Sequence, residues 1–275
     1  MLPKTGSVKQ FILNSEPGKD NIVRLKGYDY RYLVRVRRLA VGEFFPALLP
    51  GGEEILVEVL SISDGTLTGK CTIPENLTQR TGTEKESGEE LPKIILFQAM
   101  PKSDKMDLIV RQAAEGGIAE IVPFVSEYSI GKTNADGQKF KRWEKIIKEA
   151  RQQSGSRTAT VLHQPLTLNE LITYWKKLQE TSALGLLFHH RGLEQESLHS
   201  YLNNVPQTAA FAIGPEGGFS EKEVSLFLEN GFKPFTIGDT ILRTETAALY
   251  CAAAIRILLL EKNSWELKQT KNGSV

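Results

Sequence analysis

The chain has 275 residues, 40% of them apolar, and its 34 Lys plus Arg against 33 Asp plus Glu leave a formal net charge of +1. That length suits one main domain with a smaller companion, and the charge balance leaves a nucleic-acid partner open, because a local basic face can exist in a near-neutral chain. No apolar run approaches the length of a bilayer span, and the two cysteines, Cys71 and Cys251, stand far apart without CxxC spacing, which argues against a membrane anchor, a disulfide framework and a thiolate metal site.

The opening residues lack the basic-then-apolar plan of a secretory signal, so a cytoplasmic protein is expected. Residues 8–73 read as short strands at 11–13, 22–25, 44–49, 55–62 and 66–71, punctuated by Pro-Gly, Gly-Gly and Asp-Gly turns. That spacing predicts a small β-barrel, interrupted by one helix at 30–39 in "YDYRYLVRVRRLAVGE". "PENLTQRTGTEKESGEELP", residues 74–92, is polar and nearly free of apolar residues, as a linker should be.

Beyond the linker the period changes. "KIILFQAM" reads as a strand, "SDKMDLIVRQAAEGG" as an amphipathic helix stopped by glycines, "AEIVPFV" as a strand and "FKRWEKIIKEARQQS" as a helix. "TLNELITYWKKLQE" and "SEKEVSLFLENG" read as helices with capping-box spacing at Thr167/Glu170 and Ser220/Glu223, and "SALGLLF" and "TAAFAIG" as apolar strands. "FKPFTIG", "DTILRTET" and a long apolar helix over 246–261 complete the chain. Strands alternate with helices, so residues 93–275 are expected to form an α/β domain with a parallel sheet.

Two loops stand out. "IGPEGGFSEKE" carries a strand into a glycine-rich turn that opens a helix, and "TIGDTILRTETA" repeats the plan after the next strand. In open α/β sheets ligands bind at the carboxyl ends of strands, so the two loops are expected to converge on one small-molecule pocket. Neither GxGxxG nor GxxxxGK[ST] is present, and Glu216 would repel a polyphosphate, which disfavours an ordinary dinucleotide or triphosphate site. His163, His189, His190 and His199 lack metal-ligand spacing.

"IGPEGGFSEKE" followed by "IGDTILRTETAAL" resembles the paired signature of the 16S ribosomal RNA uridine-N3 methyltransferases, a branch of the trefoil-knotted SPOUT superfamily. "KMDLIVRQAAEGGIAEIVPFVSE", "RWEKIIKEARQQSGSR" and "YLVRVRRLAVGE" extend the resemblance over most of the chain. It implies a C-terminal SPOUT methyltransferase domain with a trefoil knot, a PUA-like β-barrel at 1–73 for RNA recognition, and S-adenosyl-L-methionine as cofactor. Carried over by position, the cofactor site comprises Gly214, Glu216, Gly217 and Gly218 from the first loop. Ile237, Gly238, Ile241, Leu242, Arg243, Thr244 and Ala247 come from the second, and Leu187 and His189 form a third edge. Glu216 then faces a cofactor that carries a sulfonium and an ammonium.

Methylating N3 of uracil requires loss of an imide proton, so Arg243 is expected to stabilise charge on a base carbonyl, and Glu245 to accept the proton. A structural role for Arg243, tying the loops through carbonyl bonds, is the competing reading. Arg35, Arg37, Arg38, Lys102, Lys105, Arg111, Arg142 and Arg157 are the candidate RNA contacts. The implied partners are small-subunit ribosomal RNA, in the 30S subunit or a late precursor, and a second copy of the chain in a homodimer, with no membrane and no metal. The chain departs from the family pattern at Gly116, Tyr128, Ser156 and Thr240, mostly in RNA-facing segments. A knotted methyltransferase for another RNA position, or an inactive RNA-binding assembly factor, are the alternatives.

Overall fold

The computed structural model describes residues 11–73, 91–129, 137–190 and 193–272, with side chains as far as Glu261. The linker expected at 74–92 lies, apart from Leu91 and Pro92, outside the described residues. Two compact units partition the chain, residues 1–87 with 151–159, and residues 88–150 with 160–275.

In the first unit β1 (Phe11–Ile12), β2 (Ile22–Lys26), β3 (Phe44–Leu48), β4 (Glu54–Ser63) and β5 (Thr66–Thr72) form a five-stranded sheet in the order β1-β3-β4-β5-β2. The β1–β3 pair is parallel and the others antiparallel. Alternation drives it: Ile55, Val57 and Val59 of β4 face inward with Leu67 and Cys71 of β5, around Phe11, Leu33 and Phe45. Asp64 and Gly65 both take positive φ, 48° and 70°, as a two-residue hairpin turn with the twist of its strands requires. The expected barrel is thus barrel-like, with β1 and β2 as the two edges.

The helix expected at 30–39 begins earlier, as α1 (Gly27–Tyr30), and continues as a π-helical stretch over Arg31–Val36. Arg37 N–H reaches back to the Tyr32 carbonyl at 2.9 Å, and Arg38, at φ 57°, supplies the left-handed residue that ends it.

The second unit runs β6 (Lys93–Ala99), α2 (Lys105–Glu115), β7 (Glu120–Val125), α3 (Gly137–Ser154, whose last residues belong to the first unit), β8 (Val161–Leu162), β9 (Leu166–Thr167) and α4 (Leu168–Gln179). It then continues through β10 (Ala183–Phe188), α5 (Leu198–Tyr201), β11 (Thr208–Ile213), α6 (Glu221–Glu229), β12 (Lys233–Phe235) and α7 (Thr244–Asn272). The order is β12-β10-β11-β6-β7-β8, with β9 also on β7, and every pairing is parallel.

Both faces are covered, which explains why the strands read as continuous apolar runs. On β6, Ile94 and Leu96 pack with Ile109, Ile147 and Ile255 from α2, α3 and α7, while Ile95 and Phe97 pack with Trp175 and Phe227 from α4 and α6. Gly185, mid-strand in β10, is demanded by close packing, because a Cβ there would meet the Trp175 ring at 2.8 Å. Both predicted capping boxes form, with Thr167 and Ser220 accepting from the backbone N–H of Glu170 and Glu223.

Candidate active site

The carboxyl ends of β10, β11 and β12 open onto a cavity of about 370 Å³. Its walls are the 214–219 loop after β11, the 236–243 loop after β12, and Phe188, His189 and His190 after β10. Gly214, Glu216, Gly217, Gly218, Ile237, Gly238, Ile241, Leu242, Arg243, Thr244, Ala247 and His189 all line it, as the sequence anticipates. Leu187 does not: strand alternation buries its side chain completely in the core shared with Phe97 and Trp175.

The loops are held by polar side chains that the core would not otherwise tolerate. Thr244, at the start of α7, donates its hydroxyl to the Gly214 carbonyl at 2.7 Å and accepts from Gln98 Nε2 at 3.0 Å. Gln98 is fully buried on β6. This threonine makes the carbonyl tie for which Arg243 was a candidate, whereas the Arg243 side chain is exposed on the cavity wall. Gln98 went unremarked in the sequence, although a polar residue inside "KIILFQAM" was its signal.

Glu216 has protein partners. Its carboxylate accepts from the Lys102 backbone N–H at 3.1 and 3.2 Å and pairs with Lys105 Nζ at 2.8 Å. Burial pushes its carboxyl up, but Lys105 and the backbone donors outweigh burial and hold it below the usual range. Lys105 also lies 3.4 Å from the Glu245 carboxylate, and bonding to Glu216 raises its own pKa. One ammonium therefore ties the loop after β11 to the first turn of α7. Glu245 points to that tie and is not among the residues lining the cavity.

The glycine turn is shaped from outside as well. A Cβ on Gly217 would press on Tyr128 at 3.0 Å, and Gly218 sits at φ +72° with His190 beside it. The Ser126 hydroxyl and Glu127 N–H donate to Glu223 of α6 at 3.1 and 2.9 Å, fixing the 126–129 turn against the helix that the glycine loop opens. Thr236 donates to the His189 carbonyl at 2.9 Å, and the His189 and His190 rings stack 5.0 Å apart.

Of the candidate RNA contacts, Arg35, Arg38, Lys102 and Arg111 are exposed. Lys105 is occupied as described, Arg142 pairs with Asp107, and Arg157 pairs with Glu54 within the first unit. Arg37 is half-buried, and its Nη1 has no hydrogen-bond partner among the described residues. No cluster of potential metal ligands occurs among the described residues.

A family model described as an RNA methyltransferase domain matches residues 89–256, which include both loops and the central strand β6. The chain belongs to the RNA methyltransferase family. Within it, the ribosomal RNA small subunit methyltransferase E of Synechocystis is 31% identical over 86% of this chain and 73% of that one. The protein of the same name from Aquifex aeolicus is 30% identical over 86% of this chain and 95% of its own. The crystal structure of a ribosomal RNA small subunit methyltransferase E from Neisseria gonorrhoeae, solved bound to S-adenosyl methionine, superposes with a TM-score of 0.72 at 23% identity, covering 90% of this chain and 97% of that one. The methyltransferase fold is accordingly the SPOUT α/β fold that the two loop motifs imply, with a small barrel-like unit before it.

Proposed function

We propose that this methyltransferase moves the methyl group of S-adenosyl-L-methionine to N3 of one uridine in small-subunit ribosomal RNA, in the cytoplasm and as a homodimer. The observation that carries the proposal is the cavity built by two pinned loops at the sheet's carboxyl edge, with Arg243 on its wall. The names of the Synechocystis and Aquifex relatives support the RNA class.

The residues present fit the cofactor. Gly214, Gly217 and Gly218 let backbone groups come close to a ligand, and Ile213, Ile237, Leu242 and Ala247 offer an apolar wall. The lining holds no lysine that would favour a polyphosphate. The cofactor supplies an electrophilic methyl group. Glu216, paired to Lys105, acts on it through loop shape and local negative potential rather than as a free carboxylate.

For the nucleotide, loss of the N3 proton leaves negative charge on the flanking carbonyl oxygens, and the Arg243 guanidinium stabilises that charge. Glu245 is the second candidate, as proton acceptor, and its absence from the cavity lining together with its pairing to Lys105 ranks it below Arg243. Exposed Arg35 and Arg38 in the first unit, and Lys102 and Arg111 in the second, supply phosphate contacts. Leu249, Tyr250, Ile257 and Leu260 leave α7 apolar on its exposed side as well as its buried one, which suits a subunit interface.

The test is nucleoside mass analysis of small-subunit RNA lacking the modification, after incubation with protein and labelled cofactor. N3-methyluridine at one position is expected, with turnover lowered about 100-fold in Arg243→Ala. Label on another atom, or none, overturns the proposal.

A further inference from the structure

The first unit carries an aromatic ladder that ends in solvent. Phe11, 1% exposed, stacks on Tyr32 with centroids 6.3 Å apart and planes 10° apart. Tyr32 in turn stacks on Tyr28 at 6.5 Å and 5°, and Tyr28 is 68% exposed. A buried ring thus backs a half-buried one, which backs a ring presented to water.

The chain around that ring is basic. Arg24 and Lys26 alternate onto the exposed face of edge strand β2, and Arg31 and Arg35 are exposed on the helical stretch that follows Tyr28. The nearest acid in sequence, Asp29, is 6% exposed and accepts a hydrogen bond from the Asn14 side-chain amide, so its charge is turned inward. Among the described residues, Glu16 is the one exposed acid lining the surface cavity that Arg24 and Lys26 also line.

An exposed aromatic face held flat by a stack, with cations along the neighbouring backbone, matches the chemistry of an unpaired nucleotide: the base has a π face and its flanking phosphates are anionic. A base inside a duplex has both faces covered by its neighbours and cannot use such a ring. We propose that Tyr28 is a stacking platform for an unpaired base of the RNA substrate, with Arg24, Lys26, Arg31 and Arg35 engaging the adjoining phosphates. This deepens the methyltransferase reading and takes from it only that the polymer is RNA.

The probes are a short single-stranded oligouridylate carrying one 5-iodouracil, and a duplex RNA of the same length. Photocrosslinking of the single strand to Tyr28 in the wild-type chain is expected. Tyr28→Ala should weaken single-strand affinity about tenfold while Tyr28→Phe retains it, and neither should change duplex affinity. Equal single-strand affinity in wild type and Tyr28→Ala, or the same loss for duplex and single strand, overturns the platform. S-adenosylmethionine titration of all three proteins is run beside these arms. Unchanged circular dichroism and melting show that the first unit of each variant folds, and retained cofactor binding that the second does, whereas absent binding in all three counts against the methyltransferase reading and leaves the oligonucleotide comparison readable.

Discussion

One hydroxyl joins three elements at the cavity. Thr244 of α7 links the loop after β11, through the Gly214 carbonyl, to Gln98 of β6. Thr244→Val keeps the shape and removes both bonds, leaving buried polar groups unpaired at a cost of about 1–3 kcal/mol. The melting temperature should fall and cofactor affinity should weaken, with Thr244→Ser restoring both; a Val variant that melts with wild type would contradict this. A second residue sets acid stability. Burial pushes Glu120 up, but His163 at 2.6 Å, Lys93 and the Tyr174 hydroxyl outweigh it and lower its carboxyl to about 2. A depressed folded pKa gives stability that is complete above the ordinary value of 4.5 and is lost as pH falls toward about 2. Acid melting curves should therefore be shallower through that window for Glu120→Gln than for wild type, although the variant is less stable at neutral pH.

At the scale of elements, Gly185 is where β10 meets α4 and Phe232, the residue that leads into β12. An added methyl lies 2.8 Å from Trp175 and 3.0 Å from Phe232, so Gly185→Ala should destabilise by about 1–3 kcal/mol, read as a shift in urea midpoint. The parallel strands were legible because burial on both faces writes unbroken apolar runs, and α4 and α6 because capping boxes mark their first turns. β8 and β9, two residues each, carry no period to read, nor does the four-residue α5. The π-helical stretch after Tyr30 was invisible for another reason: its apolar spacing fits an ordinary helix as well. In the site, glycines and charges interrupting apolar runs revealed the two loops. What they could not reveal was pairing: Gln98 and Thr244 are 146 residues apart, and Lys105 meets Glu216 across the sheet order rather than along the sequence. The inward burial of Leu187 follows from strand register, which the motif match did not carry.

At the scale of the whole molecule, α7 contributes the start of the cavity wall and then an outer apolar face. If that face is the subunit interface, sedimentation should give a dimer, and Ile257→Arg, at a position 52% exposed in one chain, should shift it to monomer without unfolding it. An unchanged dimer would place the interface elsewhere. The two pinned loops form the cofactor site, and calorimetric titration of S-adenosylmethionine into wild type and Ile241→Arg probes it at equilibrium. Ile241 lines the cavity yet is 76% exposed, so a cation there should be tolerated by the fold and should repel a sulfonium. One bound cofactor per chain is predicted for wild type, with affinity about tenfold or more weaker in the variant. No binding to wild type, or equal binding to both, would contradict the account.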